Sequence, residues 1–392
     1  MRKLLTSPSK MPLSDNEAII YQNALKQVSD ISLNLMAVKV DNHPGEFNLW
    51  CRELAEICLY KVNRDLMDEH QFKPLNKLID LMKLGAGVSQ LRMSCIAPWP
   101  FYAGFLQEQA EIHALEERSR LLTFIEKIKA TPLAEMINED RLAYAGKHTS
   151  GHDTAVYNFD VEWFGGTKGA KAFHNVLAQY PELLDTALAH IPLTGEVSKS
   201  DYQAFVRDYK TAFDKIGEKA TLAPATRLLA MRRPDQFVVL TSGKIDSLCQ
   251  GIGIPRLSNQ SFDDYFTALI GSVRNMAWWR QEAPEDEQEL FLWQHRAILM
   301  DMLFYADAQT AENSNYLKLL NKPVKAKAAK SSASGSGGGR RSKDTAAMLV
   351  DRALAAEDIP EHILAKRDSI VAEVEKGKKV EDVLNLMRMI FG

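Results

Sequence analysis

Along most of the chain, apolar residues return every three or four positions, the period of a helix with one face turned inward. Ala24, Val28, Ile31 and Leu35 do so behind Ser14 and Glu17, whose spacing is that of a capping box. Cys51, Leu54, Cys58 and Val62 repeat the pattern. Leu75, Leu78, Ile79 and Met82 repeat it again, and Gly85 and Gly87 are expected to end that helix. Pro98 and Pro100 break the next stretch, after which a long charged helix is predicted over about 103–130.

The texture changes at 146–170. In Tyr157-Asn158-Phe159-Asp160-Val161-Glu162-Trp163, aromatic or β-branched residues alternate with polar ones, which predicts a short strand near 155–164. GKHTSGHD before it reads as a loop, and GGTKGAK after it as a turn. Helices resume from about 170 to 215, interrupted near Pro192 and Gly195. From Gly217 the pattern gives a glycine turn, then a helix through Ala225, Leu228, Leu229 and Met231 that Pro234 stops. Phe237 to Leu240 is a short extended run, Thr241, Ser242 and Gly243 turn the chain, and a second helix starts near Lys244. Gly251-Ile252-Gly253 reads as a helix C-cap before a Pro-terminated turn, or as a second glycine hairpin.

The expected fold is mainly α with a small β element. It divides into an N-terminal helical domain (1–145), a second helical domain with the strand (146–320), a linker (321–343) and a C-terminal helical module (344–392). Ser, Ala and Gly dominate the linker, which cannot bury enough apolar surface to fold. It is basic throughout, with Lys322, Lys325, Lys327, Lys330, Arg340, Arg341 and Lys343 and no acid. The tethered module shows an apolar stripe of Val380, Val383, Leu384 and Met387. It is small for an independent core, so docking on the main body or on a protein partner is expected.

Composition narrows the classes. Of 392 residues, 46% are hydrophobic and 25% charged, as in ordinary globular proteins. A formal net charge of −3 argues against whole-protein attraction to nucleic acid but leaves room for a local basic patch. Cys51, Cys58, Cys95 and Cys249 include no CxxC pair, so neither a zinc knuckle nor a redox dithiol is signalled. No apolar run is long enough to span a bilayer, and MRKLLTSPSK has no secretory h-region. A cytoplasmic protein with no membrane contact, metal or cofactor is expected.

The element order of GEKATLAPATRLLAMRRPDQFVVLTSGKIDSLCQ, residues 217–250, resembles the heart of the helix-hairpin-helix DNA glycosylases, especially the adenine and 8-oxoguanine glycosylases. In that family a hairpin leads into a helix with a small residue at its start. An apolar crossover follows, then a turn carrying a catalytic aspartate, then another helix. Ala225 matches the small residue and RPDQFVVL the crossover, and Thr241 or Ser242 falls where the family keeps its aspartate. The match covers under a tenth of the chain.

The resemblance implies a multi-helix, glycosylase-like body with DNA as partner. A helix start would hold phosphate and an extruded base would sit over the turn. The carboxylate there would stabilise the cationic sugar as the base leaves. The sequence departs from the pattern at several points. No carboxylate occupies the aspartate position, only Gly217 remains of the hairpin's glycine pair, and Ala223 stands where bifunctional members carry lysine. Asp246 is the nearest substitute acid. Lys244 is a candidate phosphate contact or amine nucleophile, and Ser242 completes the candidate catalytic turn.

Lys219, Arg227, Arg232 and Arg233, with Lys215, form a candidate phosphate surface, or else a solvated face of mixed charge. Lys322, Lys325, Arg340 and Arg341 would extend it through the linker. Trp278, beside Trp279, Arg274 and Arg280, could stack on a base or belong to the core. His148, His152 and Asp153 have metal-compatible spacing but sit in a loop. Asp160 and Glu162 would share a strand face, as an acid–base or Mg²⁺ pair or as plain solvated carboxylates. GGTKGAK lacks the spacing of a P-loop.

Three readings follow. The leading one is a DNA-binding, glycosylase-like enzyme excising an unusual or modified base. Modified cytosine of phage DNA is one candidate target, which would place the protein in antiviral defence. The alternative is a non-catalytic DNA-binding or interaction module of a bacterial defence or DNA-processing complex. The third is a metal nuclease using Asp160 and Glu162.

Overall fold

The computed structural model describes residues 11–31, 46–241, 243–303 and 311–321, and beyond them 350, 351, 353, 354, 366–375, 380, 383, 384 and 386. The chain forms two compact units, Met1–Pro323 and Val324–Gly392. The described residues are mainly helical and include no strand. Among them, no helix is long and apolar enough to cross a membrane.

The first unit holds two apolar cores. One lies between α1 (Asp15–Asp30), α2 (Phe47–Glu56, continued by a π turn over Ile57–Lys61) and the first half of α3 (Glu69–Ile96). Ser14 caps α1, and the Glu17 carboxylate reaches back 2.8 Å to the Ser14 amide, which completes the expected capping box. Helix α3 does not stop at Gly85 and Gly87. A Cβ on Gly85 would lie 2.7 Å from Cys51 Sγ and 3.2 Å from an Ile20 methyl carbon, so glycine lets α1 and α2 approach here. The close approach is why the helix keeps a residue whose propensity opposes it.

The second core runs from Leu91 to Leu303. The two cores therefore divide within α3, whereas the sequence texture changes near 145. The expected long helix over 103–130 is two helices, α4 (Trp99–Glu108) and α5 (Leu115–Ile128). Ala114, just before α5, takes a left-handed conformation with φ 52°. Next come α6 (Asn138–Ala145), α7 (Lys171–Gln179), α8 (Pro181–Ala189) and α9 (Lys199–Asp214). The order read at 217–256 is present: α10 (Leu222–Arg232), an irregular crossover through Phe237–Leu240, and α11 (Ile245–Ile252) closed by Gly253 at φ 81°. A helical run follows over Phe262–Asp264, a π turn at Tyr265–Ile270, and Gly271–Arg274. Then come α12 (Glu287–Gln294), a 3₁₀ turn at Ile298–Leu303 and α13 (Asn315–Leu320).

Helix α11 packs on α3. Gly251 permits it, since a Cβ there would lie 2.5 Å from Leu91 Cβ. Asn16 Nδ2 adds a hydrogen bond of 2.9 Å to the Gln250 carbonyl, which ties α1 to the end of α11.

The strand expected near 155–164 is absent, and the polar positions of the alternation form no continuous solvent face, since Asn158 is exposed and Glu162 only half-buried. Tyr157, Phe159, Val161 and Trp163 are buried, and so is Asp160 between them. Asp160 Oδ1 accepts from the Glu162 amide at 2.9 Å, which folds the segment into a turn. The carbonyls of Val161 and Trp163 accept from Arg227 instead of a neighbouring strand.

In the second unit, Val350, Ile370, Val383 and Leu384 form a small apolar cluster, with Val380 packed against it, around α14 (Arg367–Glu375). Met387, the last residue of the expected stripe, and Lys322, Lys325, Lys327, Lys330, Arg340, Arg341 and Lys343 of the linker lie outside the described residues.

Candidate functional site

The crossover between α10 and α11 is anchored from below. Thr226 Oγ1 accepts from the Leu240 amide at 3.0 Å, and the Tyr265 hydroxyl donates 2.7 Å to the Val238 carbonyl. Gly165 (φ 100°) lies against it, since a Cβ there would sit 2.6 Å from a Val239 methyl and 3.4 Å from the Thr241 methyl. The 146–167 loop and the 241–244 turn, read separately in the sequence, are thus neighbours.

A buried charge network joins them. Asp301 accepts from Arg118 at 2.6 Å through Oδ2 and from Lys244 Nζ at 3.0 Å through Oδ1. Arg118 also donates 2.8 Å to the His113 carbonyl, and its guanidinium covers the rings of Trp163 (4.3 Å) and Phe164 (4.8 Å). Arg118 and Asp301 are buried, whereas the Lys244 side chain keeps 40% of its exposure. Lys244 is therefore the face this network turns to solvent.

Burial alone would raise the Asp301 carboxyl pKa; the Lys244 ammonium and the Arg118 guanidinium outweigh it and hold it well below the usual carboxylate range. Burial, reinforced by Arg118, pushes His113 down to about 3. His113 is therefore neutral at physiological pH, with its buried Nε2 unpartnered. Among the described residues, the non-glycine positions with positive φ are Ala114 and Phe164 (φ 61°). Both flank Arg118. Each left-handed residue costs about 1–2 kcal/mol, and such strain gathers where surrounding structure imposes it.

Next to Arg118, the buried Glu117 accepts from the Asp160 amide (2.7 Å) and from Trp163 Nε1 (2.8 Å). Asp160 in turn accepts from the Asn315 amide at 2.6 Å and from Asn315 Nδ2 at 3.1 Å, so it caps α13. Glu162 accepts from the His148 amide at 3.1 Å. The pair read as acid–base or Mg²⁺ ligands is thus bound into backbone. His152 is buried, with Nδ1 on Thr149 and Nε2 3.0 Å from the Glu139 carbonyl. Among the described residues, no three His, Cys, Asp or Glu side chains converge as metal ligands do.

The proposed phosphate surface is largely interior. Arg227 has no exposure and donates to the carbonyls of Ala143 (2.9 Å), Tyr144 (3.0 Å), Val161 (3.1 Å) and Trp163. Burial lowers its pKa to about 9, so it stays charged at neutral pH and acts as a brace across three segments. Arg233 is buried on Asp235 and on the carbonyls of Pro192 and Gly195. Arg232 donates to the Ile191 and Lys129 carbonyls at 3.1 and 3.2 Å. Trp278 has no exposure and stacks on Tyr102 with ring centroids 4.5 Å apart, so it is core. Lys215 and Lys219 are exposed. Asp246, in the first turn of α11, pairs with the exposed Arg256 at 2.7 Å. Ser242 lies outside the described residues.

Glu117, Arg118 and Asp301 were missed by the sequence reading, and each left a signal. Glu117 lies four positions before Leu121 and Arg118 four before Leu122, on the buried stripe of α5. Asp301 is a lone acid inside the apolar run Ile298–Leu303. No family model, no curated protein sequence and no solved structure matches this chain.

Proposed function

We propose that this protein binds DNA and acts as a glycosylase-like enzyme on an unusual or modified base, with modified cytosine of phage DNA as one candidate class. The observation that carries the reading is the partly exposed Lys244 ammonium 3.0 Å from the buried Asp301 carboxylate, on the turn that follows the crossover. The helix–crossover–turn–helix order resembles that of the helix-hairpin-helix glycosylases, and their turn carries a carboxylate. Here Asp301 brings a carboxylate to that turn from a distant segment. In this reading Lys244 touches the sugar–phosphate of the target nucleotide and Asp301 positions it. Lys215 and Lys219 supply outer phosphate contacts, and Arg118 keeps Asp301 ionised.

The test is base release from plain duplex, from uracil- or oxidised-base duplex and from phage DNA bearing modified cytosines. Free base and alkali-labile sites on one of these, lost in Lys244→Gln by about 100-fold or more, support the reading. A second reading, a non-catalytic module of a bacterial defence or DNA-processing complex, draws on Arg227, Arg232 and Arg233 being committed to carbonyls. DNA bound but left intact on every substrate would favour it. The same assay covers the metal nuclease, which would give Mg²⁺-dependent strand breaks without abasic sites.

A further inference from the structure

A cavity of about 550 Å³ opens between α2, α3, α4 and the segment around Gln109. Its volume is that of small-molecule sites. Its walls are more apolar than polar, and Leu49, Met93 and Phe101 stand at 50%, 54% and 72% exposure. Two of the lining residues carry an unsatisfied polar atom. Arg52 Nε and Gln109 Oε1 are buried without a hydrogen-bond partner. With its amide turned to donate 2.6 Å to the Leu303 carbonyl, Gln90 accepts from an Arg52 amino group, which fixes the guanidinium and leaves Nε over. An unpaired buried donor or acceptor is destabilising, and a ligand that pairs it would recover that cost.

Gly104, within α4, also lines the cavity, and a Cβ there would meet nothing within 4 Å. A glycine inside a helix is unfavourable against alanine, and among the described residues no neighbour requires it here. Open space over a helix glycine fits a surface kept clear for an occupant.

We propose that this cavity binds a small monocarboxylic acid that carries an N–H or O–H donor and an apolar or aromatic body. Arg52 takes the carboxylate through a charge-assisted hydrogen bond, and Gln109 Oε1 accepts from the donor. Met93, Phe101 and Leu49 cover the body. A dianionic phosphate suits the site less well, because Arg52 is the one cation among the lining residues and Glu108 stands with it. The site is independent of the activity proposed for the 241–244 turn.

The test is titration of the full-length chain with N-acetylphenylalanine and with its neutral carboxamide, followed by calorimetry. The acid should bind saturably and the amide at least about 10-fold more weakly, equivalent to about 1.4 kcal/mol. Arg52→Met should bring the acid down to the amide's affinity. Gly104→Trp should fill the cavity and abolish binding while leaving the circular dichroism and melting transition intact, since space is open there. Absence of saturable binding by the acid, equal binding of acid and amide, or undiminished binding by a folded Gly104→Trp protein would each overturn the proposal.

Discussion

The N-terminal core and the region around the 146–167 loop are held in opposite ways. Between α1, α2 and the first half of α3, apolar side chains meet on helical faces, and glycine sets the spacing. Around the loop and the crossover there is little regular structure, and backbone donors and acceptors are met by buried ionic side chains. Arg227 holds four carbonyls, Glu117 and Asp160 hold backbone amides, and Arg118 joins Asp301 to two aromatic rings. Hydrophobic packing is non-directional and tolerates repacking. A buried charge works only with its full set of partners, so the second region should fail sharply when one partner is lost.

The largest effect is expected at Arg227. Arg227→Met leaves four carbonyls without their donor in the interior, and a loss of about 3–5 kcal/mol is expected, read as a fall in the urea midpoint. A loss below about 1 kcal/mol would mean the loop is held by something else. Asp301→Asn comes next. It leaves the buried Arg118 guanidinium without a counter-charge, at a cost of roughly 3 kcal/mol. An unchanged midpoint would remove the ionic account of this region.

Acid should separate the two regions further. His113 is pushed down to about 3, by burial first and Arg118 second, and His174 to about 4, by burial first and Lys147 second. In the unfolded chain both titrate near 6.5, so between that value and pH 4 the unfolded state binds more protons. Their contribution is complete above about pH 6.5 and declines as pH falls, by about 1–2 kcal/mol per histidine from pH 7 to 5. His113→Gln with His174→Gln should flatten that part of the profile; an unaltered slope would contradict the assignment. The smallest effect belongs to the apolar region. Gly85→Ala forces a Cβ to 2.7 Å from Cys51 Sγ and is expected to cost about 1–3 kcal/mol, with the histidine-dependent slope unchanged.

The same contrast decides what the sequence discloses. Helical periodicity predicted α1, α2 and the start of α3, because there the burial pattern and the backbone share one period. It also predicted α10, the Pro234 stop, the crossover and α11. It misplaced the end of α3, since a glycine that breaks an isolated helix is here the contact that two helices need. It gave a strand at 157–163 because alternation was taken as two faces of a sheet. In the fold the apolar set and Asp160 point inward, Asn158 stays exposed, and a guanidinium takes the place of a partner strand. Arg227 and Arg233 were read as surface because arginine is usually exposed, yet their donors are matched inside; Trp278, open between stacking on a base and belonging to the core, is core. Lys244 stood out as a candidate from its place beside the turn. Its partner Asp301 did not, because the pairing spans residues far apart in sequence.

In the proposed function, the Lys244–Asp301 pair is the part of the turn that acts on DNA. The most direct measurement is the yield of alkali-labile sites on modified-cytosine phage DNA with wild-type, Lys244→Gln and Asp246→Asn proteins whose melting transitions are intact. The account predicts cleavage by the wild type, its near-complete loss in Lys244→Gln, and retention in Asp246→Asn, whose carboxylate faces the exposed Arg256 instead of the network. Equal yields from wild type and Lys244→Gln, or loss in Asp246→Asn alone, would contradict it.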